Sequence, residues 1–287
     1  MRGGSLTEPS VVPPLPPILL VGCGRMGSAM LSGWRTRGLS RAVVVDPTTP
    51  LQFSGSEDVE IVPSASDIPA TFQPGVVVLA VKPQVAPSSL PDLSRFADAS
   101  LFISIMAGQT IHGMTKAIAG GGAARIVRAM PNTPAAIGHG VTVACVGPGV
   151  SAEDRAVADR LLRSVGEVAW TEAEADMDAV TAVSGSGPAY VFLLAESMEQ
   201  AAIEQGLAPA LARLLARQTV AGAGALLAAT DEDAADLRRS VTSPAGTTAA
   251  ALSVLMADDA MPSLIARAVR AAADRSRALA AATAPPG

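Results

Sequence analysis

The chain has 287 residues, a formal charge of −5 at pH 7 and no basic run, which argues against nucleic acid or an anionic membrane surface as its partner. Its length suits one large or two ordinary domains, and no apolar stretch runs far enough without Gly, Pro or charge to span a membrane. Two isolated cysteines, Cys23 and Cys145, and two isolated histidines, His112 and His139, make neither a disulfide framework nor a metal site, so reduced thiols in the cytoplasm are expected.

Met1–Pro17 carries Gly3-Gly4 and a cluster of prolines. It cannot form a helix and lacks the apolar core of a signal peptide, so it reads as a disordered leader. Ile18-Leu-Leu-Val21 then breaks into Gly22, Gly24 and Gly27 within Gly22-Cys23-Gly24-Arg25-Met26-Gly27. This pattern predicts a buried strand, a tight turn and a helix start. Gly22 allows the turn, Gly24 lets backbone approach a pyrophosphate, and Gly27 lets the helix pack on the strand. Alone, such a triplet also fits a merely structural turn. The context favours a dinucleotide: a helix over Met26–Arg37 stopping at Gly38, then Val43-Val44-Val45 closing on Asp46, about 24 residues after Gly22.

An acidic residue at the end of the second strand normally takes the ribose hydroxyls of NAD and repels the extra phosphate of NADP. Thr48 and Thr49 follow it closely and could instead bind a phosphate, so the choice stays open here. A polar segment runs to about Asp67. Val76–Val81 is the next apolar run and ends in Lys82-Pro83, which should overlook the cofactor at the carboxyl edge of a parallel sheet. Further strands are predicted at Leu101–Met106, Arg125–Met130 and Gly140–Val146. The last two are separated by a rigid rim, Pro131-Asn-Thr-Pro134. Ser151 caps a helix reaching about Ser164, and the dinucleotide domain closes by Thr171.

From Glu172 onward alanine and leucine dominate and β-branched runs disappear, which predicts an all-helical second domain over 172–282 and a disordered tail over 283–287. Glycines at Ser184-Gly185-Ser186-Gly187-Pro188 predict a sharp turn, with Pro188 opening a long helix through about Gln205. Gly222 and Gly224 inside the next helix, Ala210–Ala229, point to an intimate helical interface. Ser240–Thr248, rich in Ser, Thr and Gly, leads into a helix through about Met256. It offers amides and hydroxyls to an anion such as a carboxylate, or simply caps the helix. A last helix spans Met261–Ala282.

A dinucleotide domain followed by helices suggests hydride transfer. The second half contains no Lys, His or Cys, so the usual proton donor of an alcohol or hydroxy-acid dehydrogenase is missing there, leaving Tyr190 and hydroxyls such as that of Thr248. An iminium already carries its charge and needs only a placed hydride and a hydrogen bond to nitrogen.

At this point the residues resemble a known family. Ala-Val-Lys-Pro at 80–83, Arg-Ala-Met-Pro-Asn-Thr-Pro at 128–134, Ser-Gly-Ser-Gly-Pro-Ala-Tyr at 184–190 and Ser-Pro-Ala-Gly-Thr-Thr at 243–248 look like pyrroline-5-carboxylate reductase, over essentially Ile18 to Leu279. The resemblance implies an α/β Rossmann-type domain followed by an all-α dimerisation domain. It also implies a homodimer, often built into larger rings of dimers, that reduces 1-pyrroline-5-carboxylate to L-proline with NADPH or sometimes NADH.

By the same resemblance Val21, Gly22, Cys23, Gly24, Arg25, Met26, Thr48, Val81, Lys82, Pro83, Ile105, Met106 and Ala107 would touch the cofactor. Met130–Pro134 would lie near the nicotinamide. Ser243, Gly246 and Thr247 would hold the substrate carboxylate, Thr248 would meet the ring nitrogen as the catalytic residue, and Glu174 and Ser240 would border the substrate less directly. Two departures stand out. Ala245 replaces the first of two glycines usual in the family, and Asp46 stands where many relatives have a neutral residue. A 3-hydroxyacid dehydrogenase, another imine reductase and a catalytically silent dinucleotide binder are the competing readings.

Overall fold

The computed structural model describes residues 14–48, 51–120 and 122–283. Continuous β-branched and leucine runs supply a sheet covered on both faces. Its strands are β1 (Ile18–Val21), β2 (Ala42–Val45), β3 (Val59–Val62), β4 (Val76–Leu79), β5 (Leu101–Ser104), β6 (Arg125–Met130), β7 (Gly140–Val146) and β8 (Gly166–Trp170). Their order is β3-β2-β1-β4-β5-β6-β7-β8. Every neighbouring pair is parallel except β6 and β7, which run antiparallel. Side chains alternate between two cores: Ile18 and Leu20 join one, with Trp34 and Leu161, while Leu19 and Val21 join the other, with Met114 and Phe102.

The helices are α1 (Arg25–Arg35), α2 (Ala86–Ser89), α3 (Ile111–Ala119), α4 (Ala152–Leu162), α5 (Met177–Val180), α6 (Gly187–Glu204), α7 (Pro209–Ala228), α8 (Ala234–Ser240), α9 (Thr247–Leu255) and α10 (Met261–Thr283). Trp34 is fully buried and donates its indole N–H to the Leu161 carbonyl at 3.0 Å, tying α1 to α4 on one face of the sheet. No helix among the described residues is long and apolar enough to cross a membrane.

Several expectations need correction. The leader was expected to be loose through Pro17, yet Leu15 is buried and pairs as a parallel bridge with Leu39. The Pro17 carbonyl accepts from Gly75 N at 2.9 Å. Prolines forbid a helix there but not an extended chain laid against the sheet. Residues 1–13, Thr49 and 284–287 lie outside the described residues. The polar segment before Asp67 contains β3, and β8 follows α4. The sharp turn expected at Ser184–Pro188 is instead a π-helical stretch, Thr181–Gly185, running from α5 towards α6 and bridged by the Tyr190 hydroxyl donating to the Ala182 carbonyl at 3.0 Å.

The chain divides into two compact units, one up to Met177 together with the residues from Leu279 onward, the other Asp178–Ala278. In the second, α6 and α7 pack together around Ala212 and Ala216, and the Ser276 hydroxyl ties α10 to Asp178 at 2.6 Å.

Candidate cofactor and substrate sites

In the first unit the glycine turn is held by sterics. Gly22 has φ +92°, and a Cβ there would lie 2.8 Å from the backbone of Ala80 and Val81; one on Gly27 would lie 2.4 Å from the Gly22 carbonyl oxygen. The lack of a side chain at both positions lets α1 pack this closely after β1. Gly24 is different: a Cβ there would meet nothing within 4 Å, so its open side is free for a ligand to approach. It begins α1 without a side-chain cap, which leaves the first amides of the helix available to an anion.

The turn is also tied to the end of β2. One carboxylate oxygen of Asp46 accepts from Cys23 N at 2.7 Å and the other from Thr48 N at 2.8 Å. Beside it lies a cavity of about 560 Å³ lined by Gly22, Gly24, Asp46, Thr48, Val81 and Lys82. A second cavity, about 780 Å³, opens on the other side of Gly24 against Arg25, Met26, Gln52, Thr133 and Ala136. Both have the size of small-molecule sites, and they meet where the strand order reverses between β1 and β4, the place where open α/β sheets bind ligands. The sequence-expected residues Val21–Met26, Thr48, Val81 and Lys82 are thereby brought together. Val21, Cys23 and Met106 are buried, although Val21 still lines the smaller cavity and Cys23 the larger one.

Sequence reading missed Pro63, Ser64, Ala65, Ser88, Ser89 and Asp92, which complete the wall of the smaller cavity. Recognising β3 would have located the first three, since they follow its carboxyl end. Ile105 and Ala107 stand half-buried after β5. The rim after β6 is braced by Asn132, whose side-chain oxygen accepts from Val141 N at 3.0 Å.

Glu174 was expected to border the substrate less directly. It belongs to the first unit, where its carboxylate accepts from Ile111 N at 2.8 Å and from the buried Arg128 guanidinium at 2.9 Å. The pair sits near Cys145, whose thiol is pushed up to about 11, first by burial and then by the Glu174 charge. Burial likewise raises the Cys23 thiol above its ordinary value. Among the described residues, no group of three or more His, Cys, Asp or Glu is placed to hold a metal ion.

The second unit carries the Ser/Thr-rich loop. Gly246 N donates back to the Ser243 carbonyl at 3.1 Å, and a Cβ on Gly246 would come within 2.5 Å of the Ser243 hydroxyl oxygen. Ala245 between them has φ +58°. Gly246 starts α9 without a side-chain cap, so the amides of Thr247 and Thr248 open the helix to an anion; Thr247 is exposed and Thr248 half-buried. The Ser240 hydroxyl is already used, donating to the Leu237 carbonyl at 2.8 Å.

A doubly wound sheet with an open glycine turn at its switch point, followed by a helical unit, defines a Rossmann-type dinucleotide-binding oxidoreductase plan. The comparisons with known proteins narrow the class. Residues 174–279 match the family model for pyrroline-5-carboxylate reductase dimerisation, and residues 17–108 match that for coenzyme F420-dependent NADP oxidoreductase. The chain is 36% identical to the pyrroline-5-carboxylate reductase of Pseudomonas aeruginosa, over 92% of this chain and 97% of that one. It is 43% identical to the Synechocystis enzyme over 71% and 74% of the two chains.

Among solved structures, a pyrroline-5-carboxylate reductase from Coxiella burnetii superposes with a TM-score of 0.83 at 34% identity, covering 91% of this chain and 97% of that one. The Plasmodium falciparum enzyme, solved with NADP bound, superposes with a TM-score of 0.79 at 28% identity, covering 92% and 98%. The chain belongs to the pyrroline-5-carboxylate reductase family.

Proposed function

We propose that the chain reduces 1-pyrroline-5-carboxylate to L-proline, with the glycine turn holding the dinucleotide, the α9 start offering its amides to the substrate carboxylate, and the hydride delivered to the carbon of the protonated C=N bond. The bound cofactor, NADPH or NADH, supplies that hydride. The observation that carries this reading is the uncapped start of α9 behind Ser243–Gly246, in a half that lacks Lys and His. Such a site can hold a carboxylate and accept a hydrogen bond from a cation, and it lacks the Lys or His that usually protonates an alkoxide.

Each residue then has a stated task. The first amides of α1 and the open face of Gly24 hold the pyrophosphate. Thr48 and Lys82 flank the adenosine ribose, and Val81, Pro83 and Ile105–Ala107 line the path of the dinucleotide along the carboxyl edge of the sheet. The amides of Gly246 and Thr247 and the Ser243 hydroxyl hold the substrate carboxylate. The Thr248 hydroxyl accepts from the iminium N–H, which fixes the ring for attack at the neighbouring carbon. Glu174, one of whose carboxylate oxygens is taken by Ile111 N and Arg128, and Ser240, whose hydroxyl donates to Leu237, border the substrate less directly. The functional assembly is a homodimer. Its support is the dimerisation family match and the apolar side chains that α6 exposes, Phe192 at 66% and Leu193 at 60%.

Replacing Thr248 by Ala removes a hydrogen bond to a charged group. The expected loss in kcat/KM is roughly 10- to 150-fold, the equivalent of about 1.5–3 kcal/mol, while Thr248→Ser retains most of the activity. An unchanged kcat/KM in Thr248→Ala would remove this residue from the mechanism.

A further inference from the structure

The end of β2 carries a charge arrangement that bears on which dinucleotide the cleft accepts, an inference that rests on the dinucleotide reading of that cleft. Asp46 is not a loose surface acid. Its two carboxylate oxygens are each fixed by a backbone amide, Cys23 N at 2.7 Å and Thr48 N at 2.8 Å, and it lines the 560 Å³ cavity between those two residues. Each oxygen keeps acceptor capacity beyond the amide it already binds. A ribose bearing both hydroxyls can therefore donate to a carboxylate that is already oriented, with no side chain left to order.

A ribose phosphate at the same place meets the opposite situation. The anion is held in place by two amides and cannot swing away without leaving Cys23 N unpaired. Among the described residues of this cavity wall, Lys82 is the basic side chain, set against the two acids Asp46 and Asp92. Arg25, the arginine next to the turn, lines the other cavity with Thr133 and Ala136. The hydroxyls of Ser64, Ser88 and Ser89 complete the wall, and Ser64 is itself committed to Asp67 at 2.5 Å. A phosphate carrying close to two negative charges would thus add to a wall that is already net acidic.

We infer that Asp46 is the residue that sets cofactor choice, and that it sets it towards NADH over NADPH. The carboxylate accepts the adenosine ribose hydroxyls and repels a phosphate on the same sugar, while the Thr48 amide serves to orient the acid rather than to bind phosphate.

Calorimetric titration of the full-length protein with NADH and with NADPH, without substrate, tests this directly. The expected result is at least tenfold tighter binding of NADH. In Asp46→Asn, which keeps one oxygen for Cys23 N but loses the charge and gains a donor, the ratio of the two Kd values should move at least tenfold towards NADPH. Equal or tighter binding of NADPH by the unaltered protein overturns the inference, and so does an unchanged ratio in a folded Asp46→Asn. Because no substrate is present, NADH preference in a protein inactive on pyrroline-5-carboxylate would overturn the reductase reading and leave this one standing. Binding of neither dinucleotide would overturn both.

Discussion

Ala245 is the residue whose backbone and side chain pull in opposite directions. It adopts φ +58° between Ser243 and Gly246, at the position of a proline-containing turn that ordinarily calls for glycine. A left-handed backbone costs a residue with a Cβ about 1 kcal/mol. Ala245→Gly should therefore raise the unfolding free energy by roughly that amount, read as a higher denaturant midpoint; a lower midpoint would show that Ala245 makes contacts worth more than the strain. This departure was visible in the sequence because it interrupts a motif. The placement of Glu174 was not visible, since its partners Ile111 and Arg128 lie 63 and 46 residues away along the chain. The two amides that fix Asp46 were equally hidden: its place at the end of a strand could be read, but not what its oxygens touch.

Among the elements, α4 shows how a local signal becomes stability. Ser151 and Asp154 form a capping box, with the Ser151 hydroxyl accepting from Asp154 N and the Asp154 carboxylate accepting from Ser151 N, both at 3.0 Å. Burial alone would raise the Asp154 carboxyl. The hydrogen bonds from Ser151 and the Arg125 guanidinium at 2.7 Å outweigh it and hold the group below the usual aspartate value. A carboxyl depressed in the folded state stabilises fully above its unfolded value, about 3.9, and loses that contribution as pH falls through the folded value. Asp154→Asn should thus lower stability by about 1–2 kcal/mol at pH 7. Melting curves of the two proteins should converge as pH drops below about 4, whereas a pH-independent difference would contradict the electrostatic part of the account.

The same scale explains which strands could be read. β1, β2, β4 and β5 are buried along their whole length, so both faces demand apolar residues and the run is continuous. β3 and β8 are the two edges of the sheet. Each is only partly covered, with Glu60 and Glu167 in their midst, and neither leaves an uninterrupted apolar run. The π-helical stretch before α6 was missed for a different reason: glycine and serine permit a sharp turn and a wide helical turn equally well.

For the whole molecule, the two units divide the labour. The first supplies the open turn, the fixed Asp46 carboxylate and the two cavities; the second supplies the uncapped α9 start and helices that expose Phe192, Leu193, Leu214 and Leu215. Gly222 and Gly224 have no neighbour within 4 Å of where a Cβ would stand, so the close helical interface they suggested is not made by the described elements of their own chain. Such a surface suits a second copy of the dimerisation unit.

The division of labour predicts a reaction that needs both units. The most direct test mixes the purified chain with 1-pyrroline-5-carboxylate and follows the loss of reduced-nicotinamide absorbance, with NADH and NADPH in parallel. Oxidation that depends on the pyrroline and yields proline in equal amount is the predicted result. A folded, dimeric protein that oxidised neither cofactor in the presence of substrate would contradict it.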